Sequence, residues 1–287
     1  MAHKHVEKIP ERRKDSHKGD YGKVFVIAGS RGMTGAAYLS AQGALKAGSG
    51  LVTNGIPGSL NAIMEVKLTE AMTLPLQENK EQGLSLDACP AILDYASKCD
   101  VVALGPGLGR AKDTYKLVRM LVERIDCPLV LDADGINALC GHVDILEERN
   151  TAIVITPHPG EMARLIGEDI SRIQSDREGT AKKFAKKTGV MVCLKGHRTV
   201  VAAPDGRIYV NDTGNSGMAT GGTGDVLTGM IASFIGQGVN IFDAAISAVY
   251  LHGLAGDIAV EHVGPFSLTA TDILNCLPEA FSRAGLA

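Results

Sequence analysis

No run of roughly 18 consecutive apolar residues, the length a helix needs to cross a bilayer, occurs in the chain, so no membrane span or membrane partner is expected. The opening MAHKHVEKIPERRKDSHKGDYGK is polar throughout and lacks the apolar core of a secretion signal. The six cysteines (Cys89, Cys99, Cys127, Cys140, Cys193, Cys276) include no C-x-x-C pair. Without a secretion signal they read as reduced, mostly buried thiols, not as a disulfide or zinc framework, and the cytoplasm is the expected compartment. Excess charge is missing too. A formal net charge of −3 gives no general affinity for nucleic acid or an anionic membrane surface. Nor is there a linker-like Pro/Ser/Gly tract or an internal repeat, so residues 1–287 read as a single domain with a polar lead-in over 1–20.

What is present, 45% hydrophobic and 21% charged residues, is the composition of an ordinary globular protein, long enough for a sizeable core. KVFVIA (23–28) is a short apolar run of β type that stops at Gly29-Ser30. Residues 35–47, rich in Ala and Leu, read as a helix, and LVT (51–53) begins another strand. VVAL (101–104) runs into GPGLG (105–109), and a helix follows over about 113–125. PLVLD (128–132), AIVIT (152–156) and VMVCL (190–194) are further short strands, with a helix over 176–187 before the last. The turn Pro204-Asp205-Gly206 joins 199–203 to 207–210 as a hairpin. Three more helical patterns start near Asp225, Phe242 and Ala270. Apolar strands alternating with helices predict an α/β fold: a central, mainly parallel sheet flanked by helices on both faces, with an antiparallel edge. The charged stretch 11–18 reads as solvated, and ordered structure is expected to begin near Tyr21.

Such a sheet carries its functional loops at the carboxyl ends of its strands. Those ends are small or polar here: 29–30, 105–109, 132–134, 156–161, 195–199 and 220–225. Each alone is an unremarkable turn; six at one edge predict a ligand crevice. The strongest signal is GNSGMATGGTGDVL (214–227). Beyond it, Val226, Leu227, Met230, Ile231, Phe234 and Ile235 have the spacing of one buried helix face, so the glycines sit at a helix start. Free N–H groups and the positive dipole end there favour a phosphate, and Gly222, Thr223 and Gly224 form the candidate anion hole. Asp225 lies at the lip of that cradle, where a carboxylate can accept the proton of an attacking hydroxyl. The competing explanation makes Asp225 a helix N-cap.

The segment is not a P-loop, since no Lys-Ser/Thr follows the glycines. Gly29, Gly32 and Gly35 do not have the spacing of the Rossmann fingerprint. Lys195 and Arg198 at a strand end can neutralise phosphate, or equally stand as solvated bases. His158, between two prolines, is held stiffly. His252, in an Ala/Leu-rich helical pattern, reads as a packing or interface histidine. Lys182, Lys183, Lys186 and Lys187 read as the wet face of a helix.

These motifs carry a family resemblance. GGTGD looks like the G-x-G-D anion hole of ribokinase-like small-molecule kinases, with Asp225 in the place of the catalytic aspartate. Thr156-Pro-His-Pro-Gly-Glu161 is similar to their Asn-x-x-Glu motif, with His158 replacing Asn. That replacement, together with AGSRGMTGAAYLSA, GPGLG, LDADGINAL, LKGHRT and AVYLHGLAGD, resembles one branch, NAD(P)H-hydrate dehydratase. The resemblance runs from about Ser16 to the C-terminus with the motifs in family order. It implies a ribokinase-like fold. It also implies that Lys195, Gly196, His197, Arg198, Thr199 and Gly224 hold the AMP part of a nucleotide. Ala36 or Ala37, Gly107, His158 and Asp225 would contact the hydrated nicotinamide nucleotide, and Glu161 would hold Mg²⁺ through water.

The implied activity is nucleotide-dependent dehydration of the S-epimer of NADHX and NADPHX to NADH and NADPH. ADP or ATP is the co-substrate, Mg²⁺ the cofactor, and AMP or ADP and phosphate are released. The resemblance also implies a homo-oligomer, a tetramer being one such state. The rival reading is an ordinary ribokinase-like kinase of an alcohol, which shares G-x-G-D; a non-catalytic nucleotide sensor is a further rival, against which Asp225 and Glu161 speak.

Overall fold

The computed structural model describes residues 3–286. Its strands are β1 (Lys23–Ile27), β2 (Leu51–Pro57), β3 (Met72–Leu76), β4 (Val101–Leu104), β5 (Leu129–Leu131), β6 (Ile153–Ile155), β7 (Met191–Leu194), β8 (Val200–Ala202) and β9 (Ile208–Val210). They form one sheet in the order β3-β2-β1-β4-β5-β6-β7-β8-β9. Pairing is parallel from β3 through β7, and β7-β8-β9 is antiparallel, so the hairpin closes one edge as its turn chemistry predicts.

Alternate side chains of each strand point to opposite faces. Val24, Val26, Val52, Val101, Ala103 and Val130 join one core with helices α1 (Thr34–Lys46) and α2 (Asn61–Lys67). The other face, with Phe25, Ile27, Val102, Leu104, Leu129 and Leu131, packs on α3 (Cys89–Ala96), α4 (Lys112–Arg124), α5 (Asp134–Asn137), α6 (Asp144–Glu147), α7 (Pro159–Ile166), α8 (Ile170–Ser175) and α9 (Arg177–Thr188). The last three helices, α10 (Thr223–Gly236), α11 (Ile241–Ser267) and α12 (Ala270–Arg283), return to the first face. Strands apolar on both faces therefore sit between two helical layers. Helices α1 and α10 meet backbone to backbone: a Cβ on Gly43 would lie 2.4 Å from the Val226 carbonyl oxygen, and one on Gly229 would lie 2.0 Å from that of Ser40.

Two sequence expectations are corrected. Order does not begin at Tyr21: Val6 is fully buried in the first core and the Ser247 hydroxyl donates to the His5 carbonyl (2.6 Å), although 11–18 is solvated as expected. Of the six free cysteines only Cys89 and Cys193 are buried; the other four are partly exposed. Helix α11 does have the length and apolarity to cross a bilayer, with a mean hydropathy of 1.2 in its most apolar window. However, 67% of that window is buried inside the molecule, and its helical backbone is interrupted at Gly264, so it serves as a core helix. Elements the periodicity missed include α2 and β3. Strand β3 is an edge strand with exposed Met72 and a proline, which pattern and propensity both disguise.

Because β1 is followed by β2 on one side and flanked by β4 on the other, the strand order reverses between β1 and β4. The crevice outside their carboxyl ends is where such sheets bind ligands.

Candidate active site

On one side of the crevice, the loops after β1 and β4 lock together. The Gly29 N–H donates to the Pro106 carbonyl (2.8 Å), and the Ser30 hydroxyl donates to that of Gly107 (2.9 Å). Gly107 has φ +62°, and a Cβ there would meet Ala36 at 2.9 Å. Ala36 is half-buried and faces this turn, whereas the Ala37 methyl is fully buried against Gly29, which leaves only its backbone for any ligand. Downstream, the Gly109 N–H donates to Asp134 (2.9 Å), whose carboxylate also accepts from Asn137 (3.2 Å) and lies 3.6 Å from Arg110.

On the other side stand the ends of β5, β6 and β7. The Lys195 N–H donates to the Pro157 carbonyl (2.8 Å), which aligns the β6 and β7 termini. Asp132, 1% exposed, accepts from the Lys195 ammonium (2.6 Å) on one oxygen and from the Thr228 hydroxyl (2.8 Å) on the other. Burial alone would lower the Lys195 ammonium, but Asp132, Glu161 and Asp225 outweigh it and hold it above its ordinary value. The exposed turn after Lys195 includes Gly196 (φ +145°) and Arg198 (φ +58°), an unusual conformation for a residue with a side chain. Arg177 braces this turn by donating to the His197 and Arg198 carbonyls, and the Thr199 hydroxyl donates to that of Gly196 (3.1 Å).

His158 is the N-cap of α7. The Gly160 N–H donates to its Nδ1 (3.0 Å), and Glu161 closes a capping box by accepting from the His158 N–H (2.8 Å). Pro159 occupies the first helical position, where its missing N–H costs nothing. Since Nδ1 accepts, the imidazole proton is assigned to Nε2, which lies 3.4 Å from the Glu161 carboxylate. Burial holds the imidazole below its ordinary value; Glu161 opposes, and Lys195 and Arg164 assist. The ring is thus neutral near pH 7, with a half-exposed face.

Between the two sides lies the start of α10. Its N-cap is Gly222, at φ +93°, not Asp225. A Cβ on Gly222 would lie 2.4 Å from Leu39, so both the backbone angle and the space require glycine. The N–H groups of Thr223, Gly224 and Asp225 precede the first intrahelical bond, which Val226 makes to Gly222 (3.2 Å), and they are the free donors of the helix start. Gly224 lies so near Lys195 that a Cβ would be 3.1 Å from the ammonium nitrogen. Asp225, in the first turn, caps nothing, and no described residue donates a hydrogen bond to its carboxylate. Burial pushes this carboxyl up to about 7; Asp132, Glu161 and Asp134 add to the rise and Lys195 opposes it.

The loop leading to Gly222 is seated on α11. Asp257 accepts from the Gly214 N–H (2.8 Å) and from the Asn215 amide (3.0 Å), while Gly253 and Gly256 leave room for Thr213 and Met218. His252, beneath the loop, is buried and pushed down to about 4 by that burial, so it is neutral. Asp132, Thr228, Arg177 and Asp257 escape single-residue reading of the sequence. Asp132 is signalled only by the strand end 132–134 and the motif LDADGINAL, Asp257 by AVYLHGLAGD, Thr228 by the helix after GGTGD and Arg177 by the helical pattern over 176–187.

A family model described as NAD(P)H-hydrate dehydratase matches residues 24–279. A bifunctional NAD(P)H-hydrate repair enzyme of Moorella thermoacetica is 47% identical over 94% of this chain and 51% of that protein. An ADP-dependent (S)-NAD(P)H-hydrate dehydratase of Neisseria meningitidis is 39% identical over 88% of the chain and 82% of that protein. The chain thus spans about half the length of the bifunctional relatives it matches. Among solved structures, the ADP/ATP-dependent NAD(P)H-hydrate dehydratase of Bacillus subtilis, co-crystallised with ATP and Mg²⁺, superposes with a TM-score of 0.81 at 33% identity, covering 96% of this chain and 94% of that one. A ribokinase-like superfamily protein from Enterococcus faecalis gives 0.81 at 27% identity, covering 97% and 93%.

Proposed function

Because the chain belongs to the NAD(P)H-hydrate dehydratase family and has the ribokinase-like fold, we propose that it dehydrates the S-epimer of hydrated NADH and NADPH at the expense of ADP or ATP. The observation that carries this reading is Asp225: a carboxyl group to which no described residue donates a hydrogen bond, pushed up to about 7, beside the free amides of a glycine-built helix start.

In this reading, Lys195, Gly196, His197, Arg198 and Thr199 hold the AMP part of the nucleotide, with Gly224 at its phosphates. Ala36, the backbone of Ala37, Gly107 and His158 face the hydrated nicotinamide. The hydroxyl on the reduced ring attacks the terminal phosphoryl group while Asp225 takes its proton. The N–H groups from Gly222 to Asp225 stabilise the charge on the phosphoryl oxygens. The new C–O–P ester then breaks at carbon: the ring nitrogen's lone pair expels phosphate and, as a neighbouring ring proton passes to water, the conjugated dihydronicotinamide is restored. Phosphorylation converts hydroxide, a poor leaving group, into a good one. AMP or ADP and inorganic phosphate are the other products.

Mg²⁺ binds through few carboxylates, substrate phosphates and retained waters, and it neutralises charge on the phosphates it touches. The residues fit that mode. Among the described residues no set of three or more His, Cys, Asp or Glu forms a ready cage, yet the buried Glu161 carboxylate is fixed by its capping box and keeps lone pairs free to hold the ion through water.

The test is to incubate purified protein and Mg²⁺ with NADH hydrate, offering ADP and ATP separately. Recovery of NADH absorbance with release of free phosphate is the expected outcome. A stable phosphoester without NADH recovery would replace this reading with that of a small-molecule kinase. Light scattering of the same sample checks the homo-oligomer the family resemblance implies.

A further inference from the structure

The LDADG motif lies at the carboxyl end of β5, and the mechanism above gives its first aspartate no task. We propose that Asp132 is a positioning residue: its carboxylate, shared between Lys195 and Thr228, holds the Lys195 ammonium against Gly224, where the nucleotide's phosphates meet α10. The inference rests on reading that loop as the phosphate site.

The geometry supports it in three ways. Asp132 is 1% exposed, so its charge faces protein alone, and both its oxygens are engaged: one by Lys195 at 2.6 Å, the other by Thr228 at 2.8 Å. A charge-assisted bond of that length in a shielded site fixes a side chain that otherwise has many rotamers. Thr228 lies one turn after Gly224 on α10, so Asp132 joins the β7 terminus to the helix whose amides form the cradle. Finally, Lys195 has rival partners, because Glu161 and Asp225 also act on its charge. Without Asp132 the ammonium is left to Glu161 and Asp225, and a pair with either would draw it off the cradle, that with Asp225 also occupying the proposed base. Asp132 therefore keeps the cation on the phosphate side and leaves Asp225 unpaired.

The test is a double-mutant cycle. Asp132→Asn should raise the nucleotide KM about tenfold or more and leave the KM for the hydrate within a factor of about three. In a Lys195→Met background the same change should add less than about threefold, because the residue it acts through is gone. Multiplicative effects in the double variant would overturn the proposal. So would an unchanged nucleotide KM accompanied by a higher Mg²⁺ requirement, which would make Asp132 a metal-facing ligand.

A thermal arm is independent of turnover. Asp132→Asn removes the closest countercharge of a largely buried ammonium and should lower Tm, whereas Asp132→Asn with Lys195→Met should regain most of the loss. No regain would count against the pair. If Asp132→Asn does not fold, Thr228→Val keeps the charge pair and removes only the second contact; it should weaken nucleotide binding by calorimetry in the same direction, and unaltered binding would count against the proposal. If the wild type turns over no hydrate, the dehydratase reading falls, while calorimetry and the melting cycle still judge Asp132.

Discussion

At the scale of single residues, the proposed chemistry turns on Asp225. It is the third residue of α10, half-buried, with three other carboxyl groups and one ammonium acting on it. Asp225→Asn should lower turnover by at least about a hundredfold, the low end for a positioned base, while nucleotide still binds; near-normal turnover would remove Asp225 from the chemistry. With the carboxyl pushed up to about 7, kcat/KM of the wild type should fall with unit slope as pH drops below about 7, since the protonated acid cannot accept a proton. A flat profile from pH 5 to 8 would contradict this. The stability consequence has the opposite sign from an ordinary paired carboxylate. The folded state holds its proton to higher pH than the unfolded state, so stability falls as pH rises from about 4 to about 7. Asp225→Asn, which never carries the charge, should therefore melt above the wild type at pH 8, with the gap closing toward pH 4 in paired melting curves.

At the scale of elements, the start of α10 joins a strand end to a helix mouth. Gly224 shows how the two are coupled, because a methyl there would occupy the space of the Lys195 ammonium, 3.1 Å away. Gly224→Ala sets alanine's helix preference, about 1 kcal/mol over glycine, against a small displacement of the ammonium that Asp132 holds at 2.6 Å, so Tm should change little. The substitution should still weaken nucleotide binding about tenfold by pushing Lys195 aside. Unchanged affinity in calorimetry would separate this helix mouth from the phosphates. This element was legible from GGTGD and the apolar spacing behind it. The role of His158 was less so: its two prolines announce rigidity, but that it caps α7 together with Glu161 follows from the folded backbone. The N-cap alternative for Asp225 failed for a similar reason, since only the left-handed turn at Gly222 shows that the helix begins before Asp225.

At the scale of the whole molecule, the parallel sheet with helices on both faces was legible because strands such as VVAL and IVI are apolar at every position, which demands cover on both sides. Strand β3 was not, because it is an exposed edge strand whose stability comes from pairing with β2. The N-terminal segment was misjudged as well. Its polarity is real, but one apolar residue, Val6, docks fully into the core beside α11 and α12. Val6→Asp should therefore cost at least about 2 kcal/mol of stability in denaturant unfolding; a neutral result would mean that the segment is not held there in solution.

The sequence by itself determined the strand and helix alternation, the glycine-rich loop at a helix start, and the acidic or basic character of Asp225, Glu161 and Lys195, because these depend on local periodicity and on residue type. Only the tertiary structure decided which groups meet. Asp132 is 63 residues from Lys195 and 96 from Thr228, yet one buried carboxylate binds both. Nor does any local pattern fix the proton affinity of Asp225, since that comes from burial and from the charges that three separate chain segments bring to the same strand edge.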